Sequence, residues 1–400
     1  MRGKPCSCQA TPPAPTKPGH AEHNDRVSPR PLGFYVHIPF CASRCGYCDF
    51  NTYTAEELGP GASRATYADT VVAEIRWARR QVTGDRPVST VFFGGGTPTL
   101  LGGADLVRIL AVIEQEFGLV AGAEVTTEAN PDSVSPRMLE DLLAGGFTRI
   151  SFGVQSLAPG VLGILDRTHT PGRSLAAISE AREAGFAHVS ADLIYATPGE
   201  SDDDLRMSLD AVLGAGIDHL SAYSLIVEDG TRLAARVRRG EVPAVDDDVA
   251  AERYSMVDGM ARAAGLPWYE VSNWARPGSE CRHNLGYWRD ADWWGAGPGA
   301  HGHLDGRRWW NLKHPAAYAR ALAEGLSPAA GEEIVDEGGR RLERVMLGLR
   351  LREGIDRAGM PDEALSHLAA DGLVEIAGDR VMLTDGGRLL ADAVVRRLTP

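Results

Sequence analysis

The sequence predicts an α/β chain: a partial (β/α)6 barrel, then an extension, then a small winged-helix-like α+β module. Three observations carry this. Six short β-rich runs alternate with helical stretches from Gly33 onward. The residues able to do chemistry fall at the C-terminal ends of those runs. From about residue 335 the pattern becomes short and α-rich, ending in an amphipathic stretch.

The predicted strands are 34–38, 88–93, 124–129, 149–152, 188–194 and 219–225. Between the first two, Tyr67, Val71, Ile75 and Val82 recur at helical spacing and form one apolar face. Repeated βα units imply parallel strands joined by right-handed crossovers. Such units form either an open doubly wound sheet or an incomplete barrel. An open sheet places its site at one switch point between two strands. Here the cysteine-bearing loop follows the first strand and Gly94, Gly95, Gly96, Thr97 and Pro98 follow the second. Glu128 ends the third, Gln155 follows the fourth, Asp192 lies in the fifth, and Tyr223 and Ile226 close the sixth. One rim collects them all, as in a barrel.

The remaining organisation is compositional. Residues 1–31 are rich in Pro, Ser, Thr and Gly and read as a disordered tail, in which Cys6 and Cys8 are bystanders. The barrel is assigned to 32–240. Seven of the eight Trp lie between Trp268 and Trp310, which marks 241–330 as a Trp-, Gly- and His-rich segment, and 331–400 is the winged-helix-like module. The formal charge of −13 argues against nucleic acid as a partner, because duplex binding needs a basic footprint. No apolar stretch of about 18 residues or more suggests an integral membrane segment, and no secretory h-region is present. Six cysteines are too few for a disulfide framework, so the reducing cytoplasm is the expected compartment.

Cys41, Cys45 and Cys48 place three thiols on one short loop. Thiolates are soft ligands that suit zinc or an Fe–S cluster. A structural zinc would need a fourth protein ligand, for which Asp49 is a poor candidate and Phe50 none. Three thiolates on a cluster of four irons leave one iron free for N and O donors, a vacancy that the amino and carboxylate groups of S-adenosylmethionine (SAM) fit.

The C-x3-C-x2-C spacing after a first strand resembles the signature of the radical SAM superfamily. The resemblance implies a [4Fe–4S] cluster on the three cysteines and SAM on the open iron. It further implies SAM contacts from Tyr35, Tyr47, Gly95, Gly96, Thr97, Glu128, Gln155, Arg167 and Asp192. In the superfamily the Gly-rich loop meets the methionine amine, and the counterpart of Glu128 accepts from the ribose hydroxyls, a role suited to an acceptor-only group. Gln155, Arg167, Asp192 and Ile226 also resemble a second SAM pocket, which need not be used.

Residues 33–320 resemble oxygen-independent coproporphyrinogen III dehydrogenase and its relatives in porphyrin metabolism, through the 34–41 run, Gly-Gly-Gly-Thr-Pro-Thr, Ile150–Gln155 and Asp192-Leu-Ile-Tyr. Two readings follow: the dehydrogenase, a radical decarboxylase, and the HemW family of heme chaperones, which carry heme to acceptor proteins. The dehydrogenase motif has a further cysteine where this chain has Phe50, and a buried aromatic there cannot replace a thiol. The run His283, Asn284, Leu285, Gly286, Tyr287, Trp288 matches the HNxxYW motif of HemW. Both features favour the chaperone. That resemblance implies heme binding by His283, Asn284, Tyr287 and Trp288, and a heme-acceptor protein as partner, with respiratory proteins and peripheral membrane contact included.

Imidazole is a common axial heme ligand, and Trp288, Trp293 and Trp294 stand near His283 in sequence as possible aromatic walls. Arg282 and Arg289 flank the motif as partners for propionates. His301, His303 and Cys281 are alternative ligands.

Overall fold

The computed structural model describes residues 31–59 and 61–399; the tail with Cys6 and Cys8 lies outside them. Six strands occupy the predicted runs: β1 (Leu32–Ile38), β2 (Val88–Gly95), β3 (Leu119–Ala129), β4 (Arg149–Gln155), β5 (His188–Tyr195) and β6 (His219–Ser224). Each pairs in parallel with the next.

The sheet continues on both sides. Beyond β6 lie β7 (Trp268–Glu270) and β8 (Asn273–Ala275), with β8 antiparallel to β6. Beside β1 comes β9 (Asp292–Ala296), parallel to it, then β10 (His301–Leu304), β11 (Arg307–Asn311) and β12 (Ala329–Ile334), each antiparallel to its neighbour. The order is β12-β11-β10-β9-β1-β2-β3-β4-β5-β6-β8-β7, and the two end strands do not pair, so the barrel stays open.

Alternation along the strands sorts the two faces. Ile150, Phe152 and Val154 of β4, Val189, Ala191 and Leu193 of β5, and Leu220 and Ala222 of β6 pack under the outer helices. The intervening residues, Arg149, Ser151, Gly153, Ser190, Asp192, His219, Ser221 and Tyr223, line the interior. Helix Arg64–Gln81 shows how an outer element is fixed. Ser63 caps it by accepting from the Thr66 N–H, and Tyr67, Val71 and Ile75 are buried on one face. Each such side chain contributes roughly 1.5–3 kcal/mol by leaving water.

Residues 345–398 build a second core from Leu349, Leu368, Val381 and Val394, around a three-stranded sheet of β13 (Ile355–Asp356), β14 (Val374–Ala377) and β15 (Arg380–Leu383). The buried guanidinium of Arg388 fastens this module to the barrel: it pairs with Asp258 at 3.0 Å and lies 4.5 Å from the ring centre of Trp268. No helix among the described residues is long and apolar enough to cross a membrane.

Candidate active-site cavity

A cavity of about 1020 Å³ opens at the strand C-termini and runs down the barrel interior. Cys41, Cys45, Cys48, Tyr47, Gly95, Gly96, Thr97, Glu128, Gln155, Arg167 and Asp192 all line it.

The cysteine loop is pinned from both sides. Cys41 N–H donates to the Tyr53 carbonyl at 3.0 Å, Gly46 N–H donates to Leu165 O at 3.0 Å, and Gly46 O accepts from Leu233 N–H at 2.8 Å. A Cβ at position 46 would stand 2.5 Å from Asp166 Oδ2, so a larger residue would require the Asp166 carboxylate to shift. Arg167 donates to Cys45 Sγ at 3.3 Å and to Gly153 O at 2.9 Å. Burial pushes the Cys41 thiol up to about 11, eased by a hydrogen bond with Thr52, and burial also raises Cys48. Metal binding at this loop therefore releases protons.

The three cysteines are free and partly exposed. Among the described residues no three His, Cys, Asp or Glu side chains converge on a point that one metal ion would fill. A structural zinc takes four protein ligands, its sulfurs at ~2.3 Å, whereas three thiolates on one loop suit a four-iron cluster whose remaining iron takes another donor. The donor set and the roomy, glycine-floored wall beside it thus fit a [4Fe–4S] cluster with an open iron.

The Gly-rich loop is shaped by its neighbours. Gly95 has φ of 110°, and a Cβ there would stand 2.5 Å from the His37 ring. Gly95 N–H donates to Glu128 Oε2 at 3.1 Å. Gly96 and Thr97 N–H donate to Ile38 O and Phe40 O at 2.8 and 2.7 Å. Burial, and then the charge of Asp192, push Glu128 up to about 8, against the pull of the Gly95 N–H. Burial raises Asp192 to about 6, while hydrogen bonds from Ser221 and Ser151 oppose it. A bulge between Gly153 and Gln155 ends β4, and Gln155 takes φ of 66°. Such strain is stored where a side chain must be re-aimed.

The structure places three further residues as follows, and one expectation, a buried Phe50, is corrected. Tyr35 does not line the cavity: its hydroxyl bonds His37 Nδ1 at 3.0 Å and its ring lies 6.3 Å from Phe92. Unlike Phe34, Val36 and Ile38, which pack into the core, it is only partly buried, and it lies on the same side of β2 as Glu128, each 3.1 Å from where a Gly94 Cβ would stand. Phe50 is not a buried aromatic; it is 58% exposed at the cavity mouth. Ile226 is likewise exposed, beyond the end of β6.

The HNxxYW run lies at the opposite end. Helix Arg282–Trp288 closes the barrel at the strand N-termini. Glu124 accepts from Arg282 N–H at 3.1 Å and His283 N–H at 3.0 Å, and Arg149 ties the same segment through Ser279 O at 2.8 Å. Arg149 and Glu124 pair at 3.2 Å, both almost fully buried. His283 is buried against Phe92, with Nδ1 bonded to Thr90 Oγ1 and Nε2 to the Tyr287 hydroxyl, each at 2.8 Å. Neither ring nitrogen is offered to a ligand, and burial lowers the ring's pKa to about 4. Of the four motif residues expected to hold heme, Asn284 lines this cavity, while His283 and Tyr287 line a second one of about 460 Å³ together with Arg282, Arg289 and Trp293.

The expected aromatic walls also separate. Trp294 is buried against Trp77 and Trp309 on the helix-facing side, while Trp293 packs on Tyr287. Among the alternative ligands, His303 and Cys281 are buried and His301 is exposed.

Sequence reasoning passed over His37, Asn51, Glu124, Thr126, Arg149 and His219. His37 accepts the close approach of Gly95, and its Nε2 holds Asn51 O at 2.9 Å, tying the cysteine loop to the Gly-rich loop. Period-two alternation was the available signal for the others, since Glu124 and Thr126 share the face of Glu128.

Residues 35–212 match the family model of the radical SAM superfamily, which is the class that this barrel and cysteine loop define. In fold the chain is similar to coproporphyrinogen III oxidase (HemN) from Escherichia coli, with a TM-score of 0.79 at 24% identity, covering 94% of this chain and 91% of that one. The chain is 54% identical to the heme chaperone HemW of Mycobacterium tuberculosis (strain H37Rv) over 92% of this chain and 95% of that protein, and 32% identical to HemW of Bacillus subtilis over 90% and 97%. This chain belongs to the HemW family.

Proposed function

We propose that this protein is a heme chaperone: it binds heme, carries a [4Fe–4S] cluster with SAM, and passes the heme to an acceptor protein. The observation that carries this reading over the dehydrogenase is position 50. An exposed phenylalanine stands at the cavity mouth where the dehydrogenase motif has a cysteine, within a chain similar over nearly its whole length to proteins named heme chaperones.

In this reading Cys41, Cys45 and Cys48 would hold the cluster, which when bound would supply one iron open to chelation by the amino and carboxylate groups of SAM. Gly95, Gly96 and Thr97 receive the methionine amine through closely approaching backbone, and Glu128 accepts from the ribose. Tyr47, Gln155, Arg167 and Asp192 complete the wall, and Tyr35 steadies it through His37. For heme, His283 becomes a ligand only if the closing helix opens and the bond to Thr90 or Tyr287 is given up. Otherwise His283, Tyr287 and Trp288 act as supports, and Asn284 alone reaches the cavity. The proposed setting is the cytoplasm, with a respiratory or other heme protein as acceptor.

The test uses one anaerobically reconstituted preparation for both heme titration and a coproporphyrinogen assay with SAM and reductant. Stoichiometric heme binding without porphyrinogen product is expected; product at enzyme-like rates would overturn the reading. A His283→Ala change that leaves heme affinity and the Soret band unchanged removes His283 as ligand.

A further inference from the structure

We propose that the closed end of the cavity is itself a binding subsite, one that takes the carboxylate of a small organic molecule. This goes beyond the cluster, SAM and heme reading.

Closed barrels fill their interior with layers of branched apolar side chains. Here the layer above the closing helix is polar: Thr126, Arg149, Ser190, His219 and Asn284 line the inner end. Two of them hold polar atoms with no partner in the protein, Thr126 Oγ1 and His219 Nδ1, although Thr126 is 0% and His219 2% exposed. Leaving such a group unpaired costs about 1–3 kcal/mol, so the arrangement is made good by something that enters.

The hydrogens define what that is. The Tyr269 hydroxyl accepts from Cys281 N–H, and among the described residues His219 Nε2, 2.8 Å away, is the acceptor within reach of its own proton, so the pairing that satisfies both groups has Tyr269 donating to Nε2. Burial, then the charge of Arg149, hold His219 far below its usual pKa, so the ring is neutral and its one proton sits on Nδ1. That nitrogen is a donor without an acceptor. Ser190 Oγ accepts from Arg149 Nη1 at 3.4 Å, which leaves the serine proton free to donate. Glu124 shares its charge among Arg149 and the N–H groups of Arg282 and His283, so beside its bond to Ser190 the second N–H of Arg149 Nη1 remains for the cavity. Several donors beside one cation select an anionic acceptor with two oxygens. Glu128 and Asp192 stand nearer the rim; burial pushes Glu128 up to about 8, so it is mostly protonated at neutral pH, and Asp192, at about 6, accepts from Ser151 and keeps its charge at the rim, away from the inner end.

The test is titration of the full chain with carbon-13-labelled propionate, followed by line broadening of the ligand, with propionamide as the neutral counterpart. Metal-free and reconstituted protein are both measured, so failure of the cluster reading and failure of the subsite are told apart. Propionate is expected to bind in both forms, about tenfold more tightly than propionamide. Thr126→Val, which keeps the shape, and His219→Phe are each expected to weaken it about tenfold. Loss of affinity in either variant supports the subsite. No binding, equal binding of the amide, or unchanged affinity in both variants overturns it.

Discussion

At the strand C-termini the barrel interior meets solvent through loops, whereas at the N-termini a short helix shuts it. The open end is held by backbone bonds between loops, and its cysteines remain partly exposed. The shut end is held by side-chain charge: Glu124 and Arg149, both buried, clamp a segment that arrives more than a hundred residues later. An end proposed to admit a cluster and a ligand is kept adaptable, while the closing segment is held by buried side-chain charge and the backbone N–H groups it anchors. The motif that looked most like a ligand-binding signature belongs to the second kind.

The largest test of this contrast is at the open end. Cys45→Ala should reduce iron after anaerobic reconstitution from about four per chain to near zero. It should cost less than about 1 kcal/mol in urea unfolding, because the loop is surface-held.

At the shut end Glu124→Ala should destabilise by about 3–5 kcal/mol in the same measurement. It strands a buried guanidinium and frees the backbone N–H groups of Arg282 and His283.

His283 gives a pH signature. Its folded pKa of about 4 lies below the ordinary value of 6.5, so the unfolded chain binds more protons between those limits. Its contribution to stability is complete above about pH 6.5 and is lost as the pH falls towards 4, to the extent of roughly 3 kcal/mol. Subtracting the stability curve of His283→Gln from that of the parent should show this slope. A difference that is flat across the window would mean that the ring is solvated and the end is not shut.

The smallest effect belongs to the mouth. Phe50→Ala should change stability by no more than about 0.5 kcal/mol, against roughly 3–5 kcal/mol for Phe152→Ala in the core.

The strands of the half-barrel were legible because their outward residues are apolar and their inward ones are not, and because the cysteines and glycines sit where strands end. Glu128, Gln155, Arg167 and Asp192 were legible as rim residues by position alone. The placement of His283 was not: nothing local says that residues 282–288 pack against Thr90 and Glu124, contacts set by tertiary pairing across most of the chain. For the same reason Phe50 read as buried, since adjacency to three cysteines says nothing about which way a loop residue turns. The parallel pairing of β9 with β1 was also invisible, because the Trp-rich composition around it masked a strand.

That pairing orders events during synthesis. Among the described strands β1 leaves the ribosome before the others, yet Leu32 must wait for Asp292 and Val36 for Ala296 before its outer edge is covered. Until then the nascent chain presents a long unpaired strand margin next to a hollow that nothing has yet stoppered. A ribosome paused before residue 282 would carry a half-built vessel prone to sticking to its neighbours. The late helix is in that sense a timing device as well as a lid, completing the container only when most of the chain exists to support it.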